Sequence, residues 1–129
     1  MPSILVIDDD VHARGLVRHA LQRAGYDVVE ACDGDEGSRL ARERLPSLVI
    51  TDIIMPDKEG LEVIRELHQE FHALPIIAMT GGGTRLAPHA LLQVATALGA
   101  CGALAKPFGV RDLLDSVARA LDASGRPLH

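Results

Sequence analysis

Five short apolar runs, each followed by a longer stretch of helical period, limit what this chain can fold into. The runs are Ile4–Ile7 (ILVI), Asp27–Ala31 (DVVEA), Ser47–Thr51 (SLVIT), Pro75–Met79 (PIIAM) and Gly102–Ala105 (GALA). Their apolarity is largely continuous rather than alternating, which predicts strands mostly covered on both faces, as in a parallel sheet. Between the runs, Ala13, Leu16, Val17, Ala20, Leu21 and Ala24 recur at three- and four-residue steps and end at Gly25, a helix stop. Leu61, Ile64, Leu67 and Phe71 give a third helix its stripe; Leu91, Val94, Ala95 and Leu98, closed by Gly99, give a fourth; Val110, Leu113, Leu114, Val117 and Leu121 give a fifth. The second helix, about Asp35 to Glu43, has the weakest pattern because Gly37 and Ser38 lower its propensity. Strand followed by helix, five times over, predicts an α/β fold: a doubly wound, five-stranded parallel sheet with five helices on its two faces and right-handed crossovers.

A length of 129 residues fits one domain, and 47% hydrophobic content suffices for a single core. With aromatics at 2%, Val, Ile, Leu and Ala must build that core. The net charge of -5 repels phosphate backbones and anionic membranes, which argues against direct nucleic-acid or membrane binding. Cys32 and Cys101 form no C-x-x-C, so we expect neither a disulfide framework nor a thiolate zinc site, and read both as small buried hydrophobes in a reducing cytosol. The first ten residues have no basic leader or cleavage pattern, and no stretch reaches transmembrane length. The expected domain runs over 1–122, followed by a short tail, 123–129, with no output domain.

In such a sheet, ligands bind beyond the carboxyl ends of the strands, where strand order reverses. The residues there are Asp8, Asp9 and Asp10 after the first strand, Asp52 after the third, Thr80 after the fourth, and Lys106 with Pro107 after the fifth. Clustered carboxylates repel unless a cation lies among them. Hard oxygen ligands suit Mg²⁺. A carboxylate beside a metal, an ammonium and a hydroxyl is equipped to take a phosphoryl group as an acyl phosphate.

The segments ILVIDDD, TDIIMPDKEG, IIAMTG and AKPF occur in this order, each at a strand end. Together they resemble the receiver domains of two-component response regulators, stand-alone chemotaxis regulators included, over almost the whole chain. The resemblance implies a flavodoxin-like sheet of order 2-1-3-4-5. It makes Asp52 the phosphoryl acceptor, Asp9 a direct Mg²⁺ ligand, Asp8 a ligand acting largely through water, and the backbone carbonyl of Ile54 a further ligand. Thr80 and Lys106 would hold the phosphoryl oxygens, and Lys106-Pro107 would be a cis peptide. Met55-Pro56 would shape the turn after the acceptor, and Gly60 would free the backbone at the start of the third helix. Implied partners are a sensor histidine kinase or phosphotransfer protein, touching the first helix, and a downstream protein target. The implied protein is a cytoplasmic monomer or weak dimer that signals rather than turning over a substrate.

Other readings compete at several residues. An aspartate after a strand is often an N-cap, the role we expect for Asp10; capping does not call for acids at two strand ends plus Lys106. TGGGT, Thr80 to Thr84, lacks both phosphate-binding glycine fingerprints and reads as a mobile loop, longer than the family's. His68 and His72 have metal-ligand spacing but lack the adjoining Glu of a zinc hydrolase, so they read as solvated surface histidines. Arg14, Arg18, Arg39 and Arg42 read as wet helix faces. Where many receivers have a switch aromatic, this chain has Ala103, and the loop around Gly81 to Gly83 is expected to take over the coupling. Ile54 is apolar where fast-hydrolysing receivers place a polar side chain, so a long-lived acyl phosphate is expected. The alternative function is a non-phosphorylated pseudo-receiver serving as an interaction module. A small aspartyl-phosphate phosphatase is disfavoured because Ile54 occupies the place of its second acid.

Overall fold

The structure is a computed structural model and describes residues 2–53, 60–81 and 88–123. Strands and helices alternate strictly: β1 (Ser3–Ile7), α1 (Val11–Arg23), β2 (Asp27–Ala31), α2 (Gly34–Arg44), β3 (Leu48–Asp52), α3 (Gly60–Glu70), β4 (Ile76–Thr80), α4 (Pro88–Leu98), β5 (Gly102–Ala105) and α5 (Val110–Ala123). The strands form one sheet in the order β2-β1-β3-β4-β5, and every neighbouring pair is parallel. The predicted fold and strand order are those observed.

Side chains alternate across a strand, so a doubly covered strand needs apolar residues at every position. In β1, Ile4 and Val6 enter a core with α1 and α5, while Leu5 and Ile7 enter a second core with α2, α3 and α4. β3 divides the same way, Leu48 and Ile50 against Val49, and β4 sends Ile77 and Met79 to one side and Ile76 and Ala78 to the other. The edge strands are less covered: β2 runs from exposed Asp27 to buried Ala31, and β5 buries Leu104 alone.

Several helix stripes are narrower than the sequence suggests. Leu16 is 75% exposed, and Val94 and Val110 also face outward, because each helix packs a single row onto a sheet made of aliphatic side chains. The cysteines are a correction. Cys32 and Cys101 are both exposed, because one follows edge strand β2 and the other precedes edge strand β5, outside the layers that bury the central strands. Gly37, which weakens α2 locally, is explained by packing: a Cβ there would run into the Ile7 side chain. α1 and α4 end at positive-φ glycines, Gly25 and Gly99. Leu45, at the end of α2, adopts the same left-handed region with φ 47°.

Candidate functional site

Parallel strands in register bring their carboxyl ends to one edge. Ile7 lies opposite Thr51, Asp52 opposite Met79, and Thr80 opposite Ala105. Asp8, Asp9, Asp52, Thr80 and Lys106, spread over almost a hundred residues, are therefore assembled by the ladder. Asp8 and Thr80 are fully buried, Asp52 is 8% exposed, and Asp9 lies open to solvent. Asp8, Asp9 and Asp52 each offer a carboxylate oxygen, and these oxygens all lie within 4.8 Å of one another.

Lys106 reaches back across the edge. Its Nζ donates to Asp8 Oδ2 at 2.9 Å and to Asp52 Oδ2 at 3.2 Å. Its backbone N–H donates to the Thr80 carbonyl, and the bond to Pro107 is cis, as the resemblance implies. Burial pushes the ammonium down, but the Asp8 hydrogen bond and the Asp52 and Asp8 charges outweigh it and hold the Lys106 pKa above its ordinary value. Gly81 gives the lysine stem room, since a Cβ there would lie 3.1 Å from Lys106 Cδ. Among the described residues the buried Thr80 Oγ1 has no hydrogen-bond partner. Buried hydroxyls are rarely left so, which suits a group that donates to an incoming oxygen.

The acidic turn itself is tightly bonded. Asp8 N–H continues the ladder to the Ala31 carbonyl at 3.1 Å, and Asp8 Oδ1 accepts from Asp10 N–H at 3.0 Å. Asp10 caps α1 as expected, accepting from the N–H groups of His12 and Ala13, bonds that hold its own carboxyl below the ordinary range. α3 begins directly under Asp52: Gly60 N–H donates to Ile53 O at 2.8 Å, and a Cβ at Gly60 would collide with the Asp52 carbonyl. Close backbone approach, more than loop freedom, thus explains this glycine.

Arg14 and Glu30 are the residues the sequence reading missed. Arg14 is no wet-face residue: its side chain is 15% exposed, with Nε bonded to Glu30 Oε1 at 3.1 Å and Nη1 donating to the Asp8 carbonyl at 2.8 Å. Arg18 shares Glu30 at 3.2 Å. The signal in the sequence was an acid inside β2 and two arginines four apart on one helix. Arg39 and Arg42 are half-exposed, as expected, and pair with Glu43 and Glu70. His72 is exposed, but His68 is half-buried because its ring lies over the space above Gly99. The Ile54 carbonyl, Met55-Pro56 and the glycines 82–83 lie outside the described residues. No helix among the described residues is long and apolar enough to cross a membrane.

A parallel 2-1-3-4-5 sheet with three carboxylates and a lysine at its carboxyl edge defines a class of phosphoryl-accepting signalling domains. The sequence matches the response regulator receiver domain over residues 4–118, and the chain belongs to that family. It is 39% identical over 121 residues to the C4-dicarboxylate transport transcriptional regulatory protein DctD of Pseudomonas aeruginosa, covering 93% of this chain and 25% of that protein. It is 34% identical over 111 residues to the alkaline phosphatase synthesis transcriptional regulatory protein PhoP of Bacillus subtilis, covering 86% and 45% respectively. The chain thus spans less than half the length of these curated relatives. Among solved structures, a CheY-like receiver domain protein of Methanospirillum hungatei superposes with a TM-score of 0.88 at 27% identity over 97% of both chains. Chemotaxis protein CheY4 of Vibrio cholerae gives 0.83 at 33% identity over 93% of this chain and 98% of that one. The protein is therefore a receiver domain of two-component signal transduction. Such domains bind Mg²⁺ at an acidic pocket, and the Asp8, Asp9 and Asp52 oxygens are the hard donors that ion takes.

Proposed function

We propose that Asp52 accepts a phosphoryl group from a histidine kinase or phosphotransfer protein, and that the phosphorylated domain signals by binding a protein target in the cytoplasm. The observation that carries this reading is the Lys106 ammonium held between Asp8 and Asp52, with Asp9 beside them. A set of helix caps has no use for that lysine.

An Asp52 carboxylate oxygen attacks phosphorus in line; the bond from phosphorus to the donor nitrogen breaks, and the electron pair leaves with the histidine. Asp8, Asp9, Asp52 and the Ile54 carbonyl would hold Mg²⁺, which would supply charge neutralisation for the phosphoryl oxygens. Lys106 keeps its hold on Asp8 and turns its remaining donors toward a phosphoryl oxygen. Thr80 donates its hydroxyl to another, gaining the partner that Oγ1 lacks among the described residues. Movement of Thr80 then carries the signal outward without a switch aromatic, since position 103 is alanine. We place kinase contact on the open apolar groove between α1 and α5, about 740 Å³ and lined by Leu16, Ala20, Pro107, Phe108 and Leu113, because it adjoins Lys106.

Incubation with Mg²⁺ and a small phosphodonor, followed by intact mass, tests the reading. We expect a gain of one phosphate that is absent in Asp52→Asn and in chelator. No gain with any donor or kinase would make the domain a pseudo-receiver acting by contact alone.

A further inference from the structure

We propose that Arg14 is a positioning residue for the metal-binding turn, and that Glu30 of β2 holds it there. This inference rests on the Mg²⁺-dependent reading of the acidic edge.

Asp9 lies open to solvent at the mouth of the site, so its direction depends on the backbone it leaves. A peptide unit is planar, so fixing the Asp8 carbonyl oxygen fixes the plane that carries the Asp9 nitrogen. Arg14 Nη1 fixes that oxygen at 2.8 Å. A guanidinium can bond two acceptors in set directions at once, and here Nε of the same fork is anchored on Glu30 Oε1 at 3.1 Å. Glu30 lies one residue before Ala31, whose carbonyl accepts the Asp8 N–H. Strand β2 therefore grips both sides of Asp8, directly at its N–H and through Arg14 at its carbonyl.

The choice of a backbone carbonyl matters electrically. Arg14 is spent on Glu30 and a neutral oxygen, so it orders the turn without a bond of its own to the metal-binding carboxylates in these contacts. Lys106 holds the Asp8 and Asp52 carboxylates from the opposite side. The arrangement is that of an outer-shell partner orienting an inner-shell ligand.

The sign of one change separates positioning from charge. Replacing Arg14 by an apolar residue removes a cation near the site and leaves Glu30 without it, so electrostatics alone would tighten Mg²⁺ binding. Loss of positioning would weaken it by about tenfold, as outer-shell substitutions do. Isothermal titration of Mg²⁺ into the full chain, with thermal unfolding to confirm a native population, should give an Arg14→Leu dissociation constant raised by about that factor. Arg14→Lys keeps the charge but cannot bond Glu30 and the Asp8 carbonyl as a fork, so it should fall between Arg14→Leu and wild type. It also serves if Arg14→Leu does not fold. Arg18→Leu removes the other arginine on Glu30, which among the described residues bonds Glu30 and not Asp8, and should leave the constant unchanged or lower. Equal or tighter binding in Arg14→Leu, or wild-type binding in Arg14→Lys, overturns the positioning role while leaving the phosphoacceptor reading intact. A wild-type chain that takes up no Mg²⁺ overturns both.

Discussion

Lys106 shows how one side chain couples stability to chemistry. Asp8 is fully buried, and the Lys106 ammonium 2.9 Å away and the Asp10 N–H give its two carboxyl oxygens their partners. Lys106→Met should cost about 2 kcal/mol in metal-free protein, the loss of a charged hydrogen bond to a buried group. Urea unfolding in chelator reads that loss, and an unchanged midpoint would show the bridge to be inert. The folded lysine pKa is raised, so its contribution is complete at neutral pH and disappears as pH climbs through the raised value. The stability gap between wild type and Lys106→Met should accordingly be flat around neutrality and narrow only on the strongly alkaline side. On the proposed reading, Ile54 should lengthen the life of the acyl phosphate, because an isoleucine side chain offers attacking water no hydrogen bond. Ile54→Asn should shorten the half-life several-fold, measured as loss of the added phosphate by mass; an equal decay rate would refute that role.

Two glycines inside helices make opposite demands on their elements. At Gly15, in α1, a Cβ would meet nothing within 4 Å, so the glycine only lowers helix propensity. Gly15→Ala should therefore stabilise the domain by up to about 1 kcal/mol. At Gly60 a Cβ would strike the Asp52 carbonyl, so Gly60→Ala should destabilise by roughly 3 kcal/mol and slow phosphorylation by displacing the acceptor. Thermal unfolding of the pair checks the signs, and a shift in the same direction for both would contradict the packing at α3. The resemblance marks Gly60 as the start of the third helix, but residue type alone does not show that its backbone abuts the Asp52 carbonyl while Gly15 abuts nothing. Element identity was legible because periodicity records which faces are buried. The exact rows were not: Leu16, Val94 and Val110 share the spacing of buried neighbours yet lie outside the packed layer. Arg14 was misplaced for a related reason, since a helix position says which face a residue occupies but not that Glu30 of a neighbouring strand waits there.

In the whole molecule, the site exists only when the sheet does. Asp8, Asp9 and Asp52 come from two strand ends, and an unfolded chain offers no comparable cluster. Mg²⁺ should therefore raise the unfolding free energy by about 2.7 kcal/mol at a hundred times its dissociation constant. A rise in melting temperature that chelator reverses and that Asp9→Asn abolishes would establish the linkage. An unchanged melting temperature at saturating Mg²⁺ would contradict it. Taken alone, the sequence determined the class of fold, the strand-end position of every candidate acid, and the chemistry that those acids, Thr80 and Lys106 suit. All of that follows from local periodicity and residue type. Tertiary structure alone decided the surroundings: Lys106 bridging Asp8 and Asp52, a Thr80 hydroxyl with no partner among the described residues, the exposed cysteines and the Arg14 link to the Asp8 carbonyl. Lys106 lies 98 and 54 residues from its two carboxylate partners, and only strand register and helix packing set which side chains come within a few ångströms of one another.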